Sequence, residues 1–412
     1  MTDTVELAKG DIISVEVLRP AHGGEGIGHH DGRVIFVKGG IPGDVVDVEI
    51  AQLKKKWARG EVVKVTTASA DRVDSRCPAA AAGAGCCDYA ELNPTVELEI
   101  KSRVLRDQLE RIGGIDELPE FELHDLEPTA GWRTRVRLGV DASGRAGFRK
   151  LKSNELVTEV ACSQVVPELL EGLVGEGARR FTPGVEIIAA IDDAGQRHVV
   201  ESRKAPRGRR TETVLKVLEG TGEVEQKIGD YTWKFPVSSF WQAHTKAPAA
   251  YSEFIAEALT GLELVDVDKR GPVAWDLYGG VGLFAPIITS KLQAAVHSVE
   301  LSPGSAEAGE EALAGLPVTF HTGRVEGMAS QLPSPNVVVL DPPRTGAGSD
   351  VLKSIAEAKP QLVIHIGCDP ATFARDVADW KLNGYEMDQL AVFNAFPGTH
   401  HFETIGVFVR VS

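Results

Sequence analysis

The sequence predicts an α/β protein whose carboxyl-terminal part is a doubly wound, Rossmann-like sheet. A β-rich central segment and a small N-terminal β-barrel precede it. Three observations predict this. From about residue 231 apolar strands alternate with helical stretches, the pattern of a parallel sheet. Residues 126–230 are mainly strand-like. The first 66 residues hold short strands parted by glycine-rich turns, which suits a closed five-stranded barrel of the oligonucleotide-binding sort. With 412 residues, 43% of them hydrophobic, the chain has room for two or three domains, drawn here as 1–66, 67–230 and 231–412.

In the first segment the strands are 12–18, 33–37, 45–50 and 60–65, with turns such as Gly23-Gly24-Glu25-Gly26 and Gly39-Gly40-Ile41-Pro42-Gly43. The stretch Lys54-Lys55-Lys56-Trp57-Ala58-Arg59 joins cations to an aromatic ring, as a nucleic-acid contact would, or is an edge loop with solubilising lysines. A cysteine-bearing stretch follows, Cys77-Pro78 through Cys86-Cys87-Asp88. Asn93 as N-cap and Pro94 in the first turn open a helix to about Ile112, with Ile100, Val104, Leu105, Leu109 and Ile112 on its apolar face.

Lys and Arg total 44 against 59 Asp and Glu, a net charge of −15, which excludes a protein that coats nucleic acid with its whole surface. The charge is uneven. Arg133, Arg135, Arg137, Arg145, Arg149, Lys150 and Lys152 stand against Asp141 alone, and Arg203, Lys204, Arg207, Arg209 and Arg210 have no acid among them. Each run alone reads as a solvated face. Two runs in one segment of an acidic chain favour a local groove for a polyanion. No apolar run approaches the ~20 residues of a membrane helix. The first ten residues do not resemble a secretory signal, and five unevenly spaced cysteines do not suggest a disulfide framework. The reading is a cytoplasmic protein without a membrane partner, expected to act as a monomer.

Ala274-Trp275-Asp276-Leu277-Tyr278 running into Gly279-Gly280-Val281-Gly282 is a strand, a glycine turn and a helix, the place where such sheets bind ligands. Gly280-x-Gly282-x-x-Ala285 also satisfies the dinucleotide fingerprint, so a nicotinamide-dependent oxidoreductase is a rival. Three features favour S-adenosylmethionine. Asp276 ends the first strand, where it could meet the amino-acid end of that cofactor. Glu300 ends the next strand, placed for two ribose hydroxyls. A later strand, 336–340, delivers Asp341-Pro342-Pro343-Arg344.

The strand 362–367 delivers Cys368 to the same edge, at a strand-to-helix turn whose amides are expected to stabilise a thiolate. Taken alone, one cysteine is more often buried filler. Glu403, on a strand among apolar and aromatic neighbours, could have a raised pKa and accept a proton, or be a salt-bridged strand carboxylate.

Gly367-Cys368-Asp369-Pro370-x-Thr372-x-x-Arg375-Asp376, Asp341-Pro342-Pro343-Arg344-x-Gly346, Phe396-Pro397-Gly398-Thr399-His400-His401-Phe402-Glu403 and Ser239-Phe240-Trp241-Gln242 together resemble the RNA uracil-C5 methyltransferase family. The first 66 residues resemble the TRAM domain that often precedes it. The resemblance spans nearly the whole chain. It implies a class I methyltransferase domain and S-adenosylmethionine-dependent formation of 5-methyluridine in RNA, ribosomal more than transfer RNA. By motif position Gln242, Tyr278, Glu300 and Asp341 would bind the cofactor, Cys368 would be the nucleophile and Glu403 the base. Asp369 stands where relatives usually carry Asn, and His244 follows Gln242 where Asn is common, which puts substrate contacts in doubt. A second rival is an RNA-binding protein without catalysis, disfavoured by the intact Cys368 and Glu403.

Many relatives hold a [4Fe–4S] cluster near the positions of Cys77, Cys86, Cys87 and Cys162. Relatives separate the second and third cysteines by two residues, whereas Cys86 and Cys87 are adjacent. Neighbouring side chains of an extended chain point to opposite sides, so both would reach one site only through a kink. A cluster and a set of reduced thiols both remain open.

Overall fold

The N-terminal strands close into a ring through a bend in the first of them. Ile12–Glu16 pairs antiparallel with Val45–Leu53, while its continuation Arg19–Pro20 pairs with Glu25–His30. The bridging amide of Leu18 donates to Ile27 O. The remaining strands, Arg33–Lys38 and Trp57–Thr67, complete a five-stranded barrel around Val15, Val37, Val46, Val48 and Ile50. Gly28 permits the closure, because a Cβ there would lie 2.3 Å from the Glu16 carbonyl oxygen. At the edge, Arg59 lies over both Phe36 and Trp57. Lys54, Lys55 and Lys56 are exposed.

The computed structural model describes residues 7–207, 210–264 and 271–411. Its middle is a six-stranded antiparallel sheet in the order Leu156–Val157, Ala146–Arg149, Arg135–Val140, Glu186–Ile191, Arg197–Arg207 and Arg210–Glu219. The first basic run splits over this sheet. Arg135 and Arg137 alternate with the interior residue Leu138 and face a groove, whereas Arg145 pairs with Asp141 and Glu159, and Lys150 with Glu155. Arg209 of the second run lies outside the described residues.

The carboxyl-terminal sheet has eight strands, ordered Val318–Thr322, Ala295–Glu300, Val273–Leu277, Val337–Leu340, Leu362–Gly367, Glu403–Arg410, Tyr385–Asn394 and Phe121–Asp125. The first five are parallel; Glu403–Arg410 runs antiparallel to both neighbours. Residues 94–125 sit apart from the rest of the central segment. The helix Pro94–Arg111 buries Leu105 and Leu109 in the core beneath this sheet, and Phe121–Asp125 is its last strand. That helix has the expected cap, Asn93 accepting from Thr95 N, but Ile112 is exposed. Trp233 and Phe235, on the hairpin Glu223–Ile228/Tyr231–Pro236, pack into the core on the sheet's other face. Among the described residues no helix is long and apolar enough to cross a membrane.

Candidate active site

Strand register alone lines up the sequence-singled residues. Leu277 pairs with Val299 and with Leu340, so the next residue on each strand, Tyr278, Glu300 and Asp341, stands at one carboxyl edge. Gly367 pairs with Thr404 in the antiparallel step, which sets Cys368 opposite Glu403. Five strand ends therefore converge, as expected for a ligand site of a doubly wound sheet.

The glycine turn is built to be approached. Gly279 admits no side chain, because a Cβ would lie 2.3 Å from both Asp276 Oδ2 and Ser298 Oγ, whereas Gly280 faces open space with φ +59°. Glu300 Oε2 accepts from Gly280 N at 3.1 Å and its Oε1 from Ser302 N at 2.6 Å. Gln242, Tyr278, Gly280 and Asp341 line one cavity roofed by Phe240 and Trp241. Asp276 corrects its expected role. It is buried under the turn, bonded by Ser298 Oγ at 3.0 Å, so it supports the glycines rather than facing a ligand.

Burial governs the charges here. It pushes Asp276 and Asp341 up to about 7, helped by Glu300 for the former and by Asp276 for the latter. Glu403, with Oε2 buried and unpartnered, is held well above the ordinary carboxylate range by burial and then by Asp341. The Cys368 thiol is pushed up to about 12 by burial, then by Glu403 and Asp341, against the opposing pull of Arg344. Helix amides do not relieve it, contrary to expectation. Pro370 has no N–H, and Asp369 Oδ1 takes the amides of Ala371 and Thr372 at 3.1 and 2.9 Å.

Two groups of the site, Tyr251 and Lys101, carry no sequence signal. Tyr251 is fully buried, its hydroxyl has no partner, and it interacts electrostatically with Glu403, Asp341 and Cys368. It lies on the helix Ala247–Ala258, where its spacing looks like ordinary core. Lys101 is buried with Glu97 at 2.7 Å and Asn394 at 2.6 Å, and Glu97 accepts from Gly398 N at 2.9 Å, fixing the loop that leads to Glu403. A lysine and a glutamate four apart on a helix read as a solvated pair. His244 stacks on Trp132 and its Nδ1 accepts from Lys246 N, so it shapes the segment after Gln242. His401, held down to about 3 by burial, lies two residues ahead of the strand Glu403–Arg410.

Arg135 and Arg137 line a second groove with Phe240, Ser239 and the edge of the cysteine site. Arg135 Nη1 is buried without a partner. Cys77, Cys86, Cys87 and Cys162 do come together, all four sulfurs within 4.8 Å of one another. A turn at Gly85-Cys86 supplies the kink that the adjacent pair requires. The separations do not fit the [4Fe–4S] expectation. Cys77–Cys86, Cys77–Cys162 and Cys87–Cys162 are 3.9, 3.8 and 3.5 Å apart. In a four-iron cube each thiolate binds a different corner, which holds the cysteine sulfurs roughly 6 Å apart.

Residues 6–63 match the family model described as TRAM domain, and residues 290–411 match tRNA (Uracil-5-)-methyltransferase. An uncharacterized RNA methyltransferase of Corynebacterium efficiens is 76% identical over 99% of this chain and 97% of its own length. The 23S rRNA (uracil(1939)-C(5))-methyltransferase RlmD of Alcanivorax borkumensis is 28% identical over 97% of this chain and 96% of its own. Among solved structures, the Pyrococcus abyssi tRNA (uracil-54, C5)-methyltransferase in complex with S-adenosyl-L-homocysteine has the same fold. The TM-score is 0.70 at 20% identity, over 96% of this chain and 99% of that one.

Proposed function

This chain belongs to the TRAM-bearing RNA uracil-C5 methyltransferases, and from that premise we propose that it methylates C5 of a uridine in ribosomal RNA, with Cys368 as nucleophile and Glu403 as base. The observation that carries the reading is the strand register that sets Cys368 opposite Glu403, beside the cavity of Gln242, Tyr278 and Asp341. Similarity to RlmD over nearly the full length supports ribosomal RNA as the substrate.

Uracil C5 is a poor carbon nucleophile and needs activation. Cys368, as thiolate, adds to C6 and leaves an enolate with its electron density on C5. Gln242, Tyr278, Glu300 and Asp341 would hold S-adenosylmethionine, which would supply an electrophilic methyl group on a sulfonium. Gly280 lines the cavity and leaves open space for a ligand to approach the backbone. A cationic cofactor in this cavity would favour the ionised form of Asp341, which lines it. Once C5 carries the methyl group, Glu403 removes the C5 proton, and the electron pair returns to expel the Cys368 thiolate. C5 and C6 are hidden in a stacked helix, so the target uridine is unpaired or flipped out. Arg135, Arg137 and exposed Phe240 offer cations and a stacking face for flanking nucleotides.

The test is to map 5-methyluridine in total RNA from cells with and without this gene. Loss of one ribosomal site, restored by the wild-type chain, is the expected result. An unchanged ribosomal map with a lost transfer-RNA site overturns the substrate assignment.

A further inference from the structure

We propose that Cys77, Cys86, Cys87 and Cys162 hold a single tetrahedral zinc ion, which locks the central segment onto the loop that leads to Glu403. The geometry points to one ion. Zinc–thiolate bonds of about 2.3 Å at tetrahedral angles set sulfurs about 3.8 Å apart. Three of the pairs here are 3.5, 3.8 and 3.9 Å apart, with every pair inside 4.8 Å. The set is largely shielded from water, with Cys77, Cys87 and Cys162 buried and Cys86 half-buried at the edge of a groove, as suits a structural rather than a catalytic site. Four thiolates suit zinc, which has no redox chemistry to disturb them. They also leave a net double negative charge. Arg133 supplies a counter-charge, coupled electrostatically to Cys162, Cys87 and Cys86 while its guanidinium rests on Trp132.

The surroundings say what the ion would do. Gln164, two residues past Cys162, donates to Cys86 O at 3.0 Å and reaches Pro397 O at 3.4 Å. Trp132 Nε1 also donates to Pro397 O, and Tyr89 N donates to Gly398 O. Segments from three parts of the chain thus meet the loop 396–400, just ahead of Glu403. Binding the ion releases the thiol protons and ties 77–87 to 162. The loop is therefore braced by contacts besides those of Glu97.

The test uses the full-length chain, purified without oxygen from cells given both zinc and iron. Elemental analysis should find a single zinc per chain, no labile sulfide and colourless protein. Cobalt exchanged into the site should give the visible bands of a tetrahedral thiolate complex. Chelation should expose four thiols to a thiol reagent and speed hydrogen exchange at Gly398 and Tyr89 by about tenfold or more. Cys86→Ser should lose the zinc; if that variant does not fold, chelation of the wild type gives the same readout. Brown protein with iron and sulfide in equal amounts overturns the proposal. So does a single bound iron, or folded metal-free protein whose four thiols all react at once.

Discussion

Glu403→Gln keeps the size and hydrogen-bonding shape of the side chain and removes its ability to take a proton. General-base catalysis contributes about 10²–10⁴-fold, so turnover should fall by that much, or about 3–5 kcal/mol at 1.36 kcal/mol per tenfold. The first half of the reaction should survive. After burial, Glu403 is the neighbouring charge that most raises the Cys368 thiol, so its neutralisation makes the thiolate easier to form. Addition at C6 and methyl transfer therefore proceed, while the C5 proton has no acceptor. The methylated adduct should accumulate as a protein–RNA species stable to denaturing electrophoresis, carrying label from the cofactor methyl group. Peptide mapping should place the RNA on Cys368, and Cys368→Ala should give neither adduct nor 5-methyluridine. Normal turnover by Glu403→Gln without a trapped species would show that another group is the base. His401 is first in line, since burial keeps it neutral near pH 7. An adduct formed by Cys368→Ala refutes the nucleophile.

Activity should rise with pH from 6 to 9, because Glu403 and Cys368 both resist ionisation; a profile flat over that range contradicts the acid–base roles. Asp276 titrates near 7 when folded and near 3.8 when unfolded, so the folded chain holds a proton that the unfolded chain has lost. Its contribution to stability is lost as pH rises from about 4 to about 7, and Asp276→Asn should flatten the melting temperature over that window. Arg135→Gln with Arg137→Gln should weaken RNA binding and lower the salt slope by roughly one for each phosphate left without its cation, with cofactor affinity unchanged; an unaltered slope makes the groove a bystander. Lys101→Met leaves buried Glu97 with only the more distant Arg76, at 3.4 Å, and should cost up to about 3–5 kcal/mol in urea unfolding, most of it recovered in Lys101→Met/Glu97→Leu.

What the sequence made legible follows from the range of each interaction. The glycine turn, Glu300, Asp341 and Cys368 are readable because a parallel sheet puts every strand's last residue on one edge, whatever lies between. Glu403 needed one more fact, that its strand runs antiparallel beside Leu362–Gly367. Tyr251 and Lys101 were illegible because helical spacing gives the same pattern whether a polar tip meets water or a buried partner 293 residues away, as Lys101 meets Asn394. The wrong expectation about helix amides came from treating the N-terminus as vacant, when the residue after the cysteine was itself a cap.

That residue also gives a physical reason for one departure from the family pattern. Asp369 uses its two oxygens differently. Oδ1 caps the helix through Ala371 and Thr372, and Oδ2 meets Nε2 of His22, on the barrel, at 3.0 Å. An asparagine keeps the cap through its oxygen, but it then turns an NH2 group toward His22 where the aspartate offers a carboxylate oxygen. Those contacts, with His22 paired in favourable charge, hold Asp369 down to about 2, so the carboxylate is ionised across the working range. The same barrel turn comes close to Asp88 and His400, where a Cβ on Gly24 would meet Asp88 Oδ2. The barrel is thus joined to the residue beside Cys368, to the turn after Cys87 and to the loop before Glu403. RNA held on its Trp57 edge is held by a body in direct contact with the nucleophile's own turn. An acid at 369 belongs with a histidine at 22 as one device, and exchanging either alone breaks the pair from one side.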